Sequence, residues 1–88
     1  MISPSPNATV DAHNVEFRWN PKQDASFYEI ELVSDAGDLI WQGRSNALSV
    51  TLPSHVQLVS GKVYYVWIRT HTSHGTVEQS KAVRFTVS

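Results

Sequence analysis

The 88-residue sequence has no cysteine, no long apolar run and no excess of charge of one sign. The lack of cysteine excludes a disulfide framework, a thiolate metal site and a cysteine nucleophile, and it leaves the compartment open. A membrane-spanning helix needs about 18 consecutive apolar residues, so we expect no membrane span in this chain. The formal net charge is -1, which argues against nucleic acid as a partner.

Catalytic motifs are also missing. The four glycines stand singly at positions 37, 43, 61 and 75, so there is no glycine-rich phosphate loop. A G-x-S-x-G nucleophile elbow is absent. Glu29 and Glu31 share one face of a predicted strand, but that face is expected to be open to solvent without a cleft. We therefore predict that the chain is not an enzyme and holds no cofactor.

Histidine is the remaining candidate for metal chemistry. His71 and His74 lie at the end of a predicted strand, where two imidazole rings have a chance to converge. Zinc takes three or four protein ligands, however, and His13 and His55 lie in other predicted loops. We expect ordinary surface histidines and no bound metal.

The sequence does contain a repeated alternation of apolar and polar residues, which is typical of half-buried β-strands. No segment of helical length carries an apolar stripe of period 3.6. Turn residues at 35–38 and 73–76 separate strands and tolerate positive φ. The predicted strands are 8–11, 15–19, 28–33, 39–41, 48–52, 64–71 and 83–87. Seven short strands at this spacing predict an all-β fold, a seven-stranded antiparallel β-sandwich.

The apolar positions of these strands share one predicted core. One inner face is expected to consist of Val15, Phe17, Trp19, Leu48, Val50 and Leu52. The opposite inner face is expected to consist of Tyr28, Ile30, Leu32, Tyr64, Val66, Ile68, Val83, Phe85 and Val87.

Residues 1–7 precede the strand pattern. Pro4 and Pro6 disfavour a helix there, so we interpret 1–7 as an extended lead-in or linker and 8–88 as the single domain. Such a lead-in suits a domain cut from a longer protein and also a short natural protein.

One spacing resembles a known family. Leu58 lies six residues before Tyr64, which opens the alternating strand that continues through Val66. This spacing resembles the fibronectin type III family, and Trp19 and Tyr28 lie where that family has core aromatics. The resemblance covers nearly the whole chain and implies a fibronectin type III or immunoglobulin-like sandwich. It also implies that Tyr64 is a tyrosine corner, whose hydroxyl hydrogen-bonds to backbone near Leu58.

Segments 17–21, 28–32 and 64–67 are similar to a bacterial subgroup of that family. Its modules occur in cell-envelope proteins, including extracytoplasmic parts of anti-sigma factors. The resemblance therefore implies a non-catalytic interaction or regulatory module of a larger membrane-anchored or secreted bacterial protein, located outside the cytoplasm. The alternative is a spacer or carbohydrate-binding accessory domain of a secreted hydrolase. A protein partner or neighbouring domain is expected in the first case, and carbohydrate in the second.

Strand parity also places large side chains outside the core. This candidate interaction face consists of Glu29, Glu31, Tyr65, Trp67, Arg69 and Arg84. In one interpretation, the arginine stems cover Tyr65 and Trp67 in cross-strand and cation–π contacts that stabilise the sheet. In the other, the face is a docking surface, because Trp, Tyr and Arg are enriched at interfaces. The residues alone leave both interpretations open.

Overall fold

The computed structural model describes residues 3–88. These residues form an immunoglobulin-like β-sandwich. Its strands are β1 (Ala8–Val10), β2 (Glu16–Arg18), β3 (Ala25–Ser34), β4 (Leu39–Ser45), β5 (Ser49–Thr51), β6 (Val63–Thr72), β7 (Val77–Gln79) and β8 (Val83–Val87). Within this described range no helix is long and apolar enough to cross a bilayer. The predicted fold class is confirmed, with eight strands in residues 3–88 in place of the expected seven.

The strands form two sheets. The larger sheet has the order β1-β8-β6-β3-β4, with β7 also paired to β6, and the smaller sheet joins β2 to β5. Both β7 and β8 pair with β6, at 69–71 and 63–66 respectively, so they follow one another along the same edge of that strand. The additional strand is therefore the first half of an interrupted last strand.

One strand pair departs from the antiparallel prediction. β1 runs parallel to β8, with Ala8 opposite Phe85 and Val10 opposite Val87. The reason is the path of the preceding segment, which crosses from the smaller sheet to the larger one. Ser3 is paired with Arg18 beside β2, and the next strand then enters the larger sheet in the same direction as β8.

The described part of the predicted lead-in packs against the domain. Ser3 exchanges two backbone hydrogen bonds with Arg18, and Pro4 is buried. The Asn7 N–H donates to the carbonyl of Arg84 at 2.7 Å. Residues 1 and 2 lie outside the described residues, and the division of the chain at residue 8 stays a prediction.

The core lies between the two sheets and consists mainly of the residues that the alternation selects. The buried apolar residues are Val15, Phe17, Trp19, Tyr28, Ile30, Leu32, Leu52, Leu58, Tyr64, Val66, Ile68, Val83, Phe85 and Val87. Two predicted core positions need correction. Leu48 is 41% exposed, because β5 begins only at Ser49, and Val50 is half-buried.

Trp41 on β4 extends the core beyond the predicted set. Its ring stacks on Phe17, with centroids 6.2 Å apart and an interplanar angle of 18°. The indole also covers Gly43, where a Cβ atom would overlap two ring carbons. Glycine at position 43 therefore gives Trp41 the space to pack on the core.

The two predicted turns have the expected geometry. Gly37, between β3 and β4, has φ 89°, and Gly75, between β6 and β7, has φ 83°. Glycine adopts this left-handed region without the steric cost that a side chain brings. These turns set the pairing of β4 and β7 and thus place their side chains beside β3 and β6.

Candidate functional site

All six residues of the candidate interaction face lie on the solvent side of the larger sheet. Glu29 is opposite Arg69 and Glu31 is opposite Trp67 in the pairing of β3 with β6. Tyr65 is opposite Arg84 in the pairing of β6 with β8. Arg84 is exposed, whereas the other five are half-buried. The sheet therefore brings together the residues that parity selects.

Glu31 fixes the orientation of the central tryptophan. The Trp67 Nε1–H donates to Glu31 Oε1 at 3.0 Å, and Arg69 Nη1 donates to the same oxygen at 3.4 Å. The Glu31 side chain is 17% exposed and that of Arg69 is 37% exposed. Charge-assisted bonds to one partly buried carboxylate hold both side chains in defined positions.

A second group of contacts surrounds Glu29. Its Oε1 contacts His71 Nε2, and its Oε2 accepts a hydrogen bond from Gln42 Nε2 at 3.3 Å. The His71 ring stacks on Phe27 at 4.3 Å between centroids. The Arg44 guanidinium carbon lies 3.7 Å from the Phe27 ring centroid. This stack spans three neighbouring strands and continues the outer face toward β4.

Sequence analysis did not identify Phe27, Gln42 and Arg44 as parts of the face. The alternation that places Glu29 on this face also predicts Phe27 there, because Phe27 lies two residues before Glu29 on β3. Gln42 and Arg44 depend on the β4 register, which shifts between Leu32 and Val33. That register shift carries no signal in the sequence.

The arginine contacts in the structure differ from the cation–π contacts expected with Tyr65 and Trp67. Arg69 bonds to Glu31 rather than lying over an aromatic ring. In the described part of the chain the cation–π pair joins Arg44 to Phe27. Hydrogen bonds to Glu31 thus hold both Trp67 and Arg69, and Trp67 is fixed through its nitrogen.

Within the part of the chain that the structure describes, Arg84 of the candidate interaction face and Arg44 on the adjoining strand β4 have no acidic partner. In residues 3–88, neither Arg44 nor Arg84 has a carboxylate oxygen within 4.0 Å, whereas both glutamates are engaged. Arg84 Nη1 donates to Asn7 Oδ1 at 3.5 Å, which leaves its charge unneutralised. The face therefore presents positive charge on both sides of Trp67.

The predicted structural residues lie in the core. The Tyr64 hydroxyl accepts a hydrogen bond from the Val59 N–H at 2.9 Å, next to the buried Leu58. Trp19 and Tyr28 pack together with ring centroids 5.5 Å apart. Tyr64 thus has the bonding geometry that a tyrosine corner requires.

The histidine pair does not converge. His71 lies between Glu29 and Phe27, whereas His74 Nδ1 is 4.0 Å from Asp24 Oδ2 and is well exposed. In residues 3–88 no three His, Cys, Asp or Glu side chains are grouped so as to hold a metal ion. His71 instead contributes to the stacked part of the outer face.

Comparison with known proteins places the fold. No protein-family model and no curated protein matches the chain. Among solved structures, it is similar to CopC from Methylosinus trichosporium OB3b, at 24% identity and a TM-score of 0.69. The match covers 98% of this chain and 87% of the CopC chain. The likeness is one of fold.

The comparison corrects the functional expectation. CopC is neither a domain of an anti-sigma factor nor an accessory domain of a hydrolase, so both predicted parent types were wrong. The residues behind those predictions build a sandwich core and its corner. Such residues specify the architecture, which many unrelated proteins share, and they do not specify a function.

Proposed function

We propose that this domain is a non-catalytic binding protein located outside the cytoplasm, and that its outer sheet face binds an acidic protein partner. The observation that carries the proposal is the position of Trp67, fixed by Glu31 between two arginines that lack acidic partners in residues 3–88. The extracytoplasmic location and the lack of catalysis implied by the sequence are retained, with support from the fold shared with CopC.

Pre-organisation favours binding at this face. Ordering a long side chain on association costs about 0.5–1.5 kcal/mol. Trp67 and Arg44 are already held, one by Glu31 and the other against Phe27. Binding therefore requires little further ordering of these two side chains.

The positions of the arginines define the charge pattern of the partner. Arg84 on β8 is paired with Tyr65 on β6. Arg44 on β4 is paired with Glu29 on β3, which is paired in turn with Arg69 on β6. With strands about 4.8 Å apart and residues about 3.3 Å apart along a strand, the arginines are roughly 20 Å apart. Trp67 lies between them. A partner with two acidic groups roughly 20 Å apart and an apolar side chain between them matches this arrangement.

The fibronectin type III subtype of the sandwich also remains part of this proposal. The hydrogen bond from the Val59 N–H to the Tyr64 hydroxyl supports it, since that family typically has a tyrosine corner.

Selection from a random peptide library displayed on phage tests the proposed partner chemistry. We expect enrichment of peptides with Asp or Glu on both sides of an apolar residue. Binding of a selected peptide should weaken about 30-fold in Trp67→Ala and several-fold in Arg44→Gln and Arg84→Gln. It should also weaken as salt rises, because exposed charges are screened.

Lys62→Gln is the matched control, because Lys62 is exposed and lies outside the face. It removes the same charge and should leave peptide affinity unchanged. Selected peptides without acidic residues, or affinities equal in wild type, Trp67→Ala and Arg44→Gln, would show that this face is not the binding surface for acidic partners.

A further inference from the structure

The larger sheet of the sandwich has one long open edge. It ends at β4 on one side and at β1 and β7 on the other. β4 has seven residues, whereas β1 and β7 have three each. Proteins protect exposed edges with short strands, proline, lysine or a covering segment. β1 and β7 are protected by their shortness, and β4 is not.

No other segment of the described chain pairs with the free side of β4. Its backbone hydrogen bonds in residues 3–88 go to β3, and β5, which follows it, pairs with β2 instead. The strand contains neither proline nor lysine. The register shift in its pairing lies near Leu39, so the part from Trp41 to Ser45 pairs regularly with β3. A regular edge of this kind can accept a further strand.

The pairing with β3 shows which backbone groups of β4 are free. Successive residues of a strand direct their N–H and C=O groups to opposite neighbours. The Ser34 N–H donates to the Asp38 carbonyl at 2.8 Å, so every second residue before Ser34 on β3 also faces β4. The β4 partners of those residues are Trp41, Gly43 and Ser45. The N–H and C=O groups of Gln42 and Arg44 therefore point away from the sheet.

The charge on β4 restricts what can pair there. Arg44 lies on the outer face with its guanidinium over Phe27, and in the described residues it has no acidic partner. An opposite charge on the adjacent strand is the favourable cross-strand neighbour. β4 itself has no Asp or Glu, so the β4 strand of a second copy does not supply that charge.

We propose that the acidic partner adds an extended segment to β4 as a further strand of the larger sheet, with an Asp or Glu beside Arg44. The inference rests on the proposed function and specifies how one end of the partner is held. Backbone hydrogen bonds to Gln42 and Arg44 supply affinity, and the Arg44 side chain selects the acidic residue. The rest of the partner continues across the outer face toward Trp67.

Backbone N-methylation of the partner tests the added strand on the unaltered 88-residue chain. The probe is the tightest-binding acidic peptide from the phage selection, synthesised with each of its amides methylated in turn. Within one segment, methylation at every second residue should weaken binding about 10-fold or more, since those amides lose a hydrogen bond and meet β4. Methylation at the residues between them should have little effect. Binding through side chains alone does not produce this alternation.

Amide hydrogen exchange of the 15N-labelled chain locates the segment on the domain. In the free protein the amides of Gln42 and Arg44 should exchange quickly, whereas those of Trp41 and Gly43 should be protected by β3. Saturation with the same peptide should slow exchange at Gln42 and Arg44 by about 10-fold or more. The amides of β7, on the other edge, should not respond.

A proline on β4 gives an independent test. Proline is tolerated on an edge strand where its missing N–H faces solvent, so Gln42→Pro should still unfold cooperatively. Both Gln42→Pro and Gln42→Ala lose the side-chain bond to Glu29, and only the first loses the outward N–H. The peptide should bind Gln42→Pro about 10-fold more weakly than Gln42→Ala.

Three results would overturn the inference. A peptide whose binding depends on Trp67 and Arg44, but shows neither the alternation nor protection at Gln42 and Arg44, would bind through side chains only and leave the proposed function intact. Self-association in sedimentation experiments that protects the same two amides without peptide would assign the edge to a second copy. Failure to select any acidic peptide would remove the proposed function and this inference together.

Discussion

Replacing Gly43 by Ala should destabilise the domain, although the change adds a single methyl group on an edge strand. A Cβ at position 43 overlaps two carbons of the Trp41 indole. The backbone at Gly43 is not in the left-handed region, so alanine itself is compatible with the local conformation. The cost must therefore come from displacement of Trp41.

The expected magnitude follows from what Trp41 loses. Its stacking on Phe17 contributes about 0.5–1.5 kcal/mol beyond burial. Re-exposing roughly 50–100 Å² of indole costs a further 1–2.5 kcal/mol at about 25 cal/mol per Å². Alanine in a strand recovers about 0.5–1 kcal/mol of backbone entropy. The net loss is about 1–3 kcal/mol, within the range for overpacked cores.

Urea and thermal unfolding of four proteins measure this effect: wild type, Gly43→Ala, Trp41→Ala and the double variant. For a domain of this size, each kcal/mol lowers Tm by about 4–8 °C. In the Trp41→Ala background there is no indole to displace, so Gly43→Ala should be neutral or slightly stabilising. The coupling energy of this double-mutant cycle should exceed about 1 kcal/mol. An equal loss in both backgrounds would refute the reasoning and locate the cost in the β4 backbone.

Three further outcomes are expected from urea unfolding. Tyr64→Phe should lower the free energy of unfolding by about 1–3 kcal/mol, because the backbone N–H of Val59 is left without its hydrogen-bond acceptor. Tyr65→Phe on the outer face should change it little. Equal changes in the two variants would contradict the assigned faces of β6. Trp19→Ala should lower the free energy of unfolding by about 3–5 kcal/mol and Trp67→Ala by clearly less, since only Trp19 lies in the core. Comparable losses would show that Trp67 contributes as much to stability as a core residue. Glu31→Gln should cost roughly 0.5–1.5 kcal/mol and alter the fluorescence of Trp67, and an unchanged spectrum would mean that the carboxylate does not hold the indole.

Much of the fold follows from local pattern. A period of two places alternate side chains on opposite faces, so the residues from Tyr28 to Leu32 and from Tyr64 to Ile68 select the core without knowledge of partners. The same parity places Trp67 outside. Glycine at positions 37 and 75 marks the turns, because the left-handed backbone there is a local requirement.

Local pattern does not predict features that depend on how strands pair or on where a strand begins. β7 is exposed at all three positions, so burial imposes no alternation on its sequence. The parallel entry of β1 depends on where the preceding residues cross between sheets. Leu48 has the parity of a core residue, yet it precedes the start of β5 and remains 41% exposed.

The sequence by itself therefore determined the sandwich, most of its core and six residues on the outer side of its larger sheet, since each follows from alternation within a single strand. Only the tertiary structure decided which side chains meet there. The contacts of Glu29 with Gln42 and His71 depend on two strand registers, which short-range pattern does not encode.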